Sequence, residues 1–273
     1  MLKKVPTKLT LIDLFDSITE LAQENYNNIS PHLMDITDEK DYFFGIIQRA
    51  LIFSMDISNI LKYARHKYYT SIFIIGRCVY DDFITLMYID SYTNKEEAIN
   101  CLNASAKKHQ LNKLNELAEL NEKYYNNAFP FYTTKEQLKE IRKKFAEKKG
   151  TKNYLKNPEN INPDKLEFKS FPSTNDIVNT LNKQRENDLI GRAYYFWRQW
   201  SDYVHFSPHS FHIEQEAFSN PEDEINVLRS IQEMGAMLTN SIKVSLRYFY
   251  QEHAIAPLDT KRVVHQVLSV SMS

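Results

Sequence analysis

The chain has 273 residues, 42% of them hydrophobic, with 34 Lys and Arg against 35 Asp and Glu for a formal net charge of −1. That length allows one large domain or two small ones and sustains a sizeable core, while the balanced charge argues against a protein that coats nucleic acid by electrostatics alone. Only five glycines occur and neither GxGxxG nor a GKS/GKT stretch is present, which argues against a strand-rich fold and against a glycine-rich phosphate loop.

The opening "MLKKVPTKLTLIDLFDS" reaches Asp13 and Asp16 before any apolar run forms, so no signal peptide is expected. No stretch of 18 apolar residues exists, so no membrane span is expected either. Cys78 and Cys101 sit in apolar helical patterns and read as buried, reduced residues of a cytoplasmic protein.

"TLIDLFDSITELAQENY" places Leu11, Leu14, Phe15, Ile18 and Leu21 at three- and four-residue spacing, an amphipathic helix. "PHLMDITDEKD" reads as a loop with capping residues. A second helix runs from about Tyr42 to Arg65, apolar on more than one stripe and so central. The third, about Tyr69 to Tyr92, is the most hydrophobic. Its run Ile72, Phe73, Ile74, Ile75 has the composition of a buried strand, but the length and the lack of turn residues favour a helix. A fourth, Lys95 to about Asn126, carries Leu111, Leu114, Leu117 and Leu120 as a narrow seam on the outside of the bundle.

The chain breaks at Pro130, and Thr134 caps a short charged helix to about Lys149. Residues 148–176 hold three prolines, many asparagines and excess Lys. They read as an extended loop insertion, either a solvated linker or a basic flap over a site. A helix follows from about Ile177 to Tyr203, ended or bent at Pro208, and a final long helix opens at Pro221 among acidic residues. The tail, 257–273, holds Val263, Val264, Val267 and Leu268, suited to docking on the bundle or on a neighbouring subunit. The expected architecture is one all-α domain over 1–273, an up-and-down multi-helix bundle.

The densest chemistry is "RQWSDYVHFSPHSFH", residues 198–212. Arg198 and His205 are seven apart, which on a helix puts them on one face, roughly 10 Å apart along the axis. A phosphate fits between a bidentate guanidinium and an imidazole that titrates near neutrality. Ser201 is four before His205, and Asp202 four after Arg198. The alternative is an ordinary Arg198–Asp202 ion pair with His205 finishing the helix. Arg77 and Asp81, four apart in the most apolar helix, must be paired, because burying either charge alone is costly. Asp82 lies on another azimuth and needs its own partner. These charges form a structural ion network or a pocket with His205. His205, His209 and His212 align on a continuous helix, with Glu214 or Glu216 as a further ligand, but Pro208 interrupts it. No HExxH or zinc-finger spacing occurs, so no metal or cofactor is expected. The rings of "YYFW" at 194–197, with Trp200 and Tyr203, read as core or as a base-stacking surface.

An Arg followed by a His near a helix end in an all-α chain resembles the HEPN superfamily. That resemblance implies a helical bundle that dimerises and brings two Arg/His motifs into one cleft, with metal-independent ribonuclease activity in toxin–antitoxin, CRISPR and phage-defence systems. Arg198 would bind the scissile phosphate and His205 would assist attack by the ribose 2′-hydroxyl. Gln199 stands where that superfamily often has Asn, Asp or His. The chain is also similar to a bacterial all-α family with two recurrent segments, here "GRCVYDDFITLMYI" and "YYFWRQWSDYVHFSP". That likeness groups Arg77, Asp81, Asp82, Ser201 and His205. The candidate catalytic residues are therefore Arg198, His205 and Ser201, and the candidate substrate-binding residues Arg77, Asp81, Asp82, Asp202 and Tyr203. The expected function is a metal-independent endoribonuclease of a bacterial toxin or anti-phage system. Its expected partners are an RNA or nucleotide substrate, a second copy of the chain, and an antitoxin or defence protein. The rivals are a non-catalytic module that binds a nucleotide or a protein, and a metal-dependent hydrolase built on the histidine run.

Overall fold

The computed structural model describes residues 5–34, 37–63, 69–184, 188–204 and 221–257. Its helices are α1 (Lys8–Ile29), α2 (Asp38–Tyr63), α3 (Thr70–Ser91), α4 (Lys95–Tyr125), α5 (Lys135–Glu147), α6 (Thr174–Gln184), α7 (Asp188–Val204) and α8 (Pro221–His253). Short 3-10 turns cover Ser30–His32 and Lys149–Tyr154. The fold is an all-α multi-helix bundle. Among the described residues, β pairing is confined to an isolated antiparallel bridge between Leu155 and Phe168. The chain divides into two compact units, one formed by 1–91 with 174–273, the other by 92–173.

In the first unit α1 packs on α2, both rest on α8, and α3 touches α2, α6, α7 and α8. A Thr7–Thr10 capping box opens α1, and its spaced apolar set (Leu11, Leu14, Phe15, Ile18 and Leu21) is buried as expected. Each such side chain contributes about 1.5–3 kcal/mol by leaving water. The α3 segment is a helix throughout, with Ile72, Phe73, Val79, Tyr80, Phe83 and Ile84 buried. Phe43 of α2 stacks on Tyr248 of α8 at 4.1 Å between ring centroids. α2 is long and apolar enough to cross a membrane by length and composition alone. Its Phe43, Ile46, Ile47, Ala50, Ile57 and Leu61 are nevertheless buried inside this unit.

Three expectations change in this unit. α2 begins at Asp38 rather than near Tyr42, because Thr37 accepts from the Lys40 N–H and Asp38, Glu39 and Asp41 suit the positive end of the helix dipole. The single helix expected over Ile177–Tyr203 is two helices that fold back on each other. The Tyr194 hydroxyl donates to Asn175 Oδ1 at 3.0 Å, whereas 19 residues of continuous helix would separate them by about 28 Å. In the sequence, "NKQREND" at 182–188 is polar at every position. Finally, Cys78 is exposed rather than buried, and Cys101 of the second unit is likewise only partly covered. Of the tail, the Ala256 carbonyl accepts from Asn28. The cluster Val263, Val264, Val267 and Leu268 lies outside the described residues.

The second unit closes around Ala104, Leu111, Leu138, Leu155 and Phe168. The leucine steps of three on α4 do not form its seam, since Leu120 is exposed. Each step of three falls about 60° short of a full turn, so nine residues carry Leu120 to the side opposite Leu111. Ala104, Leu111 and Ala118, seven apart, stay on the buried side. Residues 149–173 are folded within this unit rather than extended. Lys156 N–H donates to Glu167 O at 2.8 Å and Lys169 N–H to Tyr154 O at 2.9 Å, and Leu155 and Phe168 enter the core. Residues 174–176 begin α6 instead. α5 starts at a Thr134–Gln137 capping box, as its sequence predicts.

The turn after α4 passes through Asn126 and Asn127 at φ 50° and 62°, the left-handed region that Asn tolerates. Buried Asn121 holds that turn. Its amide donates to the carbonyls of Phe129 and Tyr132 and its Oδ1 accepts from the Phe129 N–H. Asn121→Ala is therefore expected to lower the stability of this unit by about 1–3 kcal/mol. Urea denaturation checks it, and a transition unchanged from the parent refutes it.

Candidate functional site

The polar residues that the sequence singles out gather along α3 and the last turns of α7. The Arg77 guanidinium lies over the Trp197 ring at 4.0 Å. Its Nε donates to Ser201 Oγ at 2.9 Å, and its terminal nitrogen sits 3.3 Å from Asp81 Oδ1. The same Asp81 oxygen accepts from Trp197 Nε1 at 2.9 Å and from Thr174 Oγ1 at 3.4 Å. Ser201 in turn donates to its own helix, at the Trp197 carbonyl. One carboxylate thus ties α3, α6 and α7 together, and the Arg77–Asp81 pairing follows from their four-residue spacing. Trp197→Phe keeps a ring over Arg77 but removes one donor to Asp81. Asp81 is 48% exposed, so water replaces the lost donor in part and a cost of about 1 kcal/mol is expected. Chemical denaturation of the two proteins measures it, and equal midpoints refute it.

Asp82 belongs to a different contact. It pairs with Arg49 Nε of α2 at 2.5 Å, the separate partner its azimuth requires. Burial pushes the Asp82 carboxyl up, against the pull of Arg49. The neighbouring Tyr42 hydroxyl is buried without a hydrogen-bond partner among the described residues. Burial first and the Asp82 charge second push its ionisation well above the phenolic range. The Cys78 thiol is likewise raised, by partial desolvation and by Asp82, which makes it a poor nucleophile near neutrality.

α7 meets α3 through Trp200, which is 2% exposed and packs on Phe73, Tyr80 and Phe196. Gly76 permits this approach. A Cβ there would stand 2.0 and 2.3 Å from two Trp200 ring carbons. Trp197 and Ser201 fall on one flank of this contact and Tyr195 and Gln199 on the other. Arg198 and Asp202 lie on the exposed side between them. No ion pair joins these two, so the ordinary i,i+4 alternative is not formed. In this unit Arg49, Arg77, Arg192 and Arg247 each hold a carboxylate: Asp82, Asp81, Glu233 and Asp90 respectively. Arg198 and Arg229 hold none among the described residues. His205, His209 and His212, with Glu214 and Glu216, lie outside the described residues.

Between α7 and α8 opens a cleft of about 700 Å³, lined by Tyr195, Gln199 and Tyr203 from α7 and by Asn226 and Arg229 from α8. On its wall Arg192 donates one nitrogen to both oxygens of Glu233, each at 3.0 Å. Of the candidate residues, then, Arg77, Asp81 and Ser201 are brought into one network. Asp82 is drawn to α2, Tyr203 packs on Phe73 at 4.7 Å and faces the cleft, and Arg198 and Asp202 stand in solvent. Sequence reasoning passed over Arg192 and Glu233. The signal was present, because each is a charge set among apolar neighbours, in "LIGRAYYFW" and "SIQEMGAM".

Residues 45–224 match the model of a protein family described as a family of unknown function, DUF5677. No curated protein and no solved structure matches the chain.

Proposed function

Since the chain belongs to the DUF5677 family of unknown function, its activity has to be read from its own residues, and we propose that it is a metal-independent endoribonuclease. The observation that carries the reading is Arg198: an exposed guanidinium without a carboxylate partner among the described residues, one residue from the cleft-lining Gln199, on a helix whose other arginine, Arg192, is paired. An exposed guanidinium that can bind a phosphodiester bidentately is what the first step needs. His205, seven residues on, takes the 2′-hydroxyl proton as that oxygen attacks phosphorus. The 5′-oxygen leaves and takes up a proton, so the products are a 2′,3′-cyclic phosphate and a 5′-hydroxyl end. Arg77, Asp81 and Ser201 position α7 rather than touch the phosphate. A second copy of the chain meeting the exposed side of α7 would place two Arg198/His205 pairs across one groove. The setting that fits a self-contained RNA-cutting dimer is a cytoplasmic toxin or anti-phage system of bacterial type.

One observation favours the rival, a non-catalytic module: the Arg77–Asp81–Trp197–Ser201 network is satisfied within the chain, as a purely structural network is. Incubation of purified protein with total RNA in EDTA separates the two. Cleavage leaving cyclic phosphate ends is the expected result. Intact RNA with and without divalent metal sinks the nuclease. Cleavage only with added metal sinks it too, and turns attention to the histidine run at 205, 209 and 212.

A further inference from the structure

The α7–α8 cleft has features that phosphate chemistry at Arg198 does not account for. Its volume, about 700 Å³, suits a ring-sized ligand. Its walls combine aromatic faces with amide edges. Tyr195 is 61% exposed and held edge-on to Phe196 at 5.2 Å, while Tyr203, backed by buried Phe73, supplies further ring surface. Gln199 and Asn226 present carboxamides, each carrying both donors and an acceptor. The Arg192 charge is cancelled by Glu233, and of the remaining charged lining residues, Asp223 and Arg229, Arg229 has no carboxylate partner among the described residues. A flat, largely uncharged ligand with hydrogen-bonding edges and an adjoining anion matches that wall, and this is the chemistry of a nucleobase joined to a phosphodiester.

The position of Tyr195 sharpens the match. It is three residues before Arg198, so on α7 the two are surface neighbours with Cβ atoms about 5–6 Å apart. A base stacked on Tyr195 therefore carries its phosphate to Arg198, while the cleft receives the edge of the base. We propose that the α7–α8 cleft is a base-recognition pocket for single-stranded RNA, with Tyr195 as the stacking surface, Gln199 and Asn226 reading the base edge, and Arg229 meeting a flanking phosphate. The inference deepens the ribonuclease reading and rests on it for the placement of the scissile phosphate at Arg198. Because every base has a π-face but a distinct edge, Tyr195 supplies affinity and the two amides supply preference.

The test uses the full chain and fluorescein-labelled 2′-O-methyl homopolymers of A, C, G and U, which lack the attacking hydroxyl and so report binding without cleavage. Fluorescence anisotropy is expected to rank the four differently. Tyr195→Ala should weaken the best of them by about tenfold or more, the loss of one base–ring stack, and Tyr195→Phe should restore it. Gln199→Ala should change the ranking. Equal binding of all four homopolymers overturns the proposal, as does wild-type affinity in Tyr195→Ala. Mononucleotides that bind as tightly as the homopolymers overturn the assignment to RNA. Tyr195-dependent binding by a chain that cuts no RNA in EDTA sustains the pocket and sinks the nuclease. Cleavage by a chain whose binding ignores Tyr195 does the reverse.

Discussion

Gly76→Ala is expected to melt well below the parent, although the substitution is normally favourable in a helix. Alanine in place of glycine gains about 1 kcal/mol of intrinsic helix stability. Here the added methyl would lie 2.0 Å from Trp200 Cζ3, 2.3 Å from Cε3 and 2.7 Å from Met234 Sδ. Met234 can swing away, but Trp200 cannot, because Phe73, Tyr80 and Phe196 hold its ring. α7 must therefore slide outward along α3, straining the Arg77–Ser201 and Trp197–Asp81 bonds on its flank. Overpacking of this kind costs about 1–3 kcal/mol, and the upper end is expected where the obstacle is a locked indole. At roughly 2–4 °C per kcal/mol, the fall in Tm is easily read by thermal denaturation. Trp200→Phe in the same protein should recover part of the loss, since the smaller ring admits the methyl. A Gly76→Ala protein that melts with or above the parent would mean that α3 and α7 do not pack face to face through this residue.

The second large effect concerns activity. Arg198→Ala and His205→Ala are each expected to reduce RNA cleavage by about a hundredfold or more, the usual loss when a charge stabiliser or a general acid–base group is removed. Arg198→Lys should restore it only in part, because an ammonium does not offer the guanidinium's paired donors. Arg198→Ala should leave the melting curve within about 0.5 kcal/mol of the parent, as for exposed surface positions. Arg77→Ala should show the opposite balance. It removes the contacts to Asp81, Ser201 and the Trp197 ring, so stability falls first and activity follows only through the displacement of α7. Unaltered cleavage in Arg198→Ala with an intact fold removes the nuclease proposal outright.

Much of this molecule was legible from spacing. The apolar positions of α1, the Thr134 cap of α5 and the Arg77–Asp81 pair follow from helix geometry and capping, and the need of the mostly covered Asp82 for a separate partner from the cost of burying a lone charge; Asp81 is half exposed and did not need that argument. Each is local, or depends only on what one helix face requires. The leucine run of α4 shows where spacing misleads, because a step of three drifts off the face that a step of seven keeps.

The sequence by itself determined that the chain is helical, where most helices begin and end, and which charges need partners. These properties are set within a few residues by backbone geometry, capping and desolvation. Only the tertiary structure decided the distant pairings, Arg49 with Asp82, Arg192 with Glu233 and Arg247 with Asp90. It alone showed that α6 and α7 fold back on each other, that Gly76 admits Trp200, that Arg198 meets no carboxylate among the described residues, and that a cleft opens between α7 and α8. Those features join residues from 19 to more than a hundred positions apart, and a periodic pattern holds no record of which faces will meet. Close packing chooses among the many pairings that the same amphipathic helices allow.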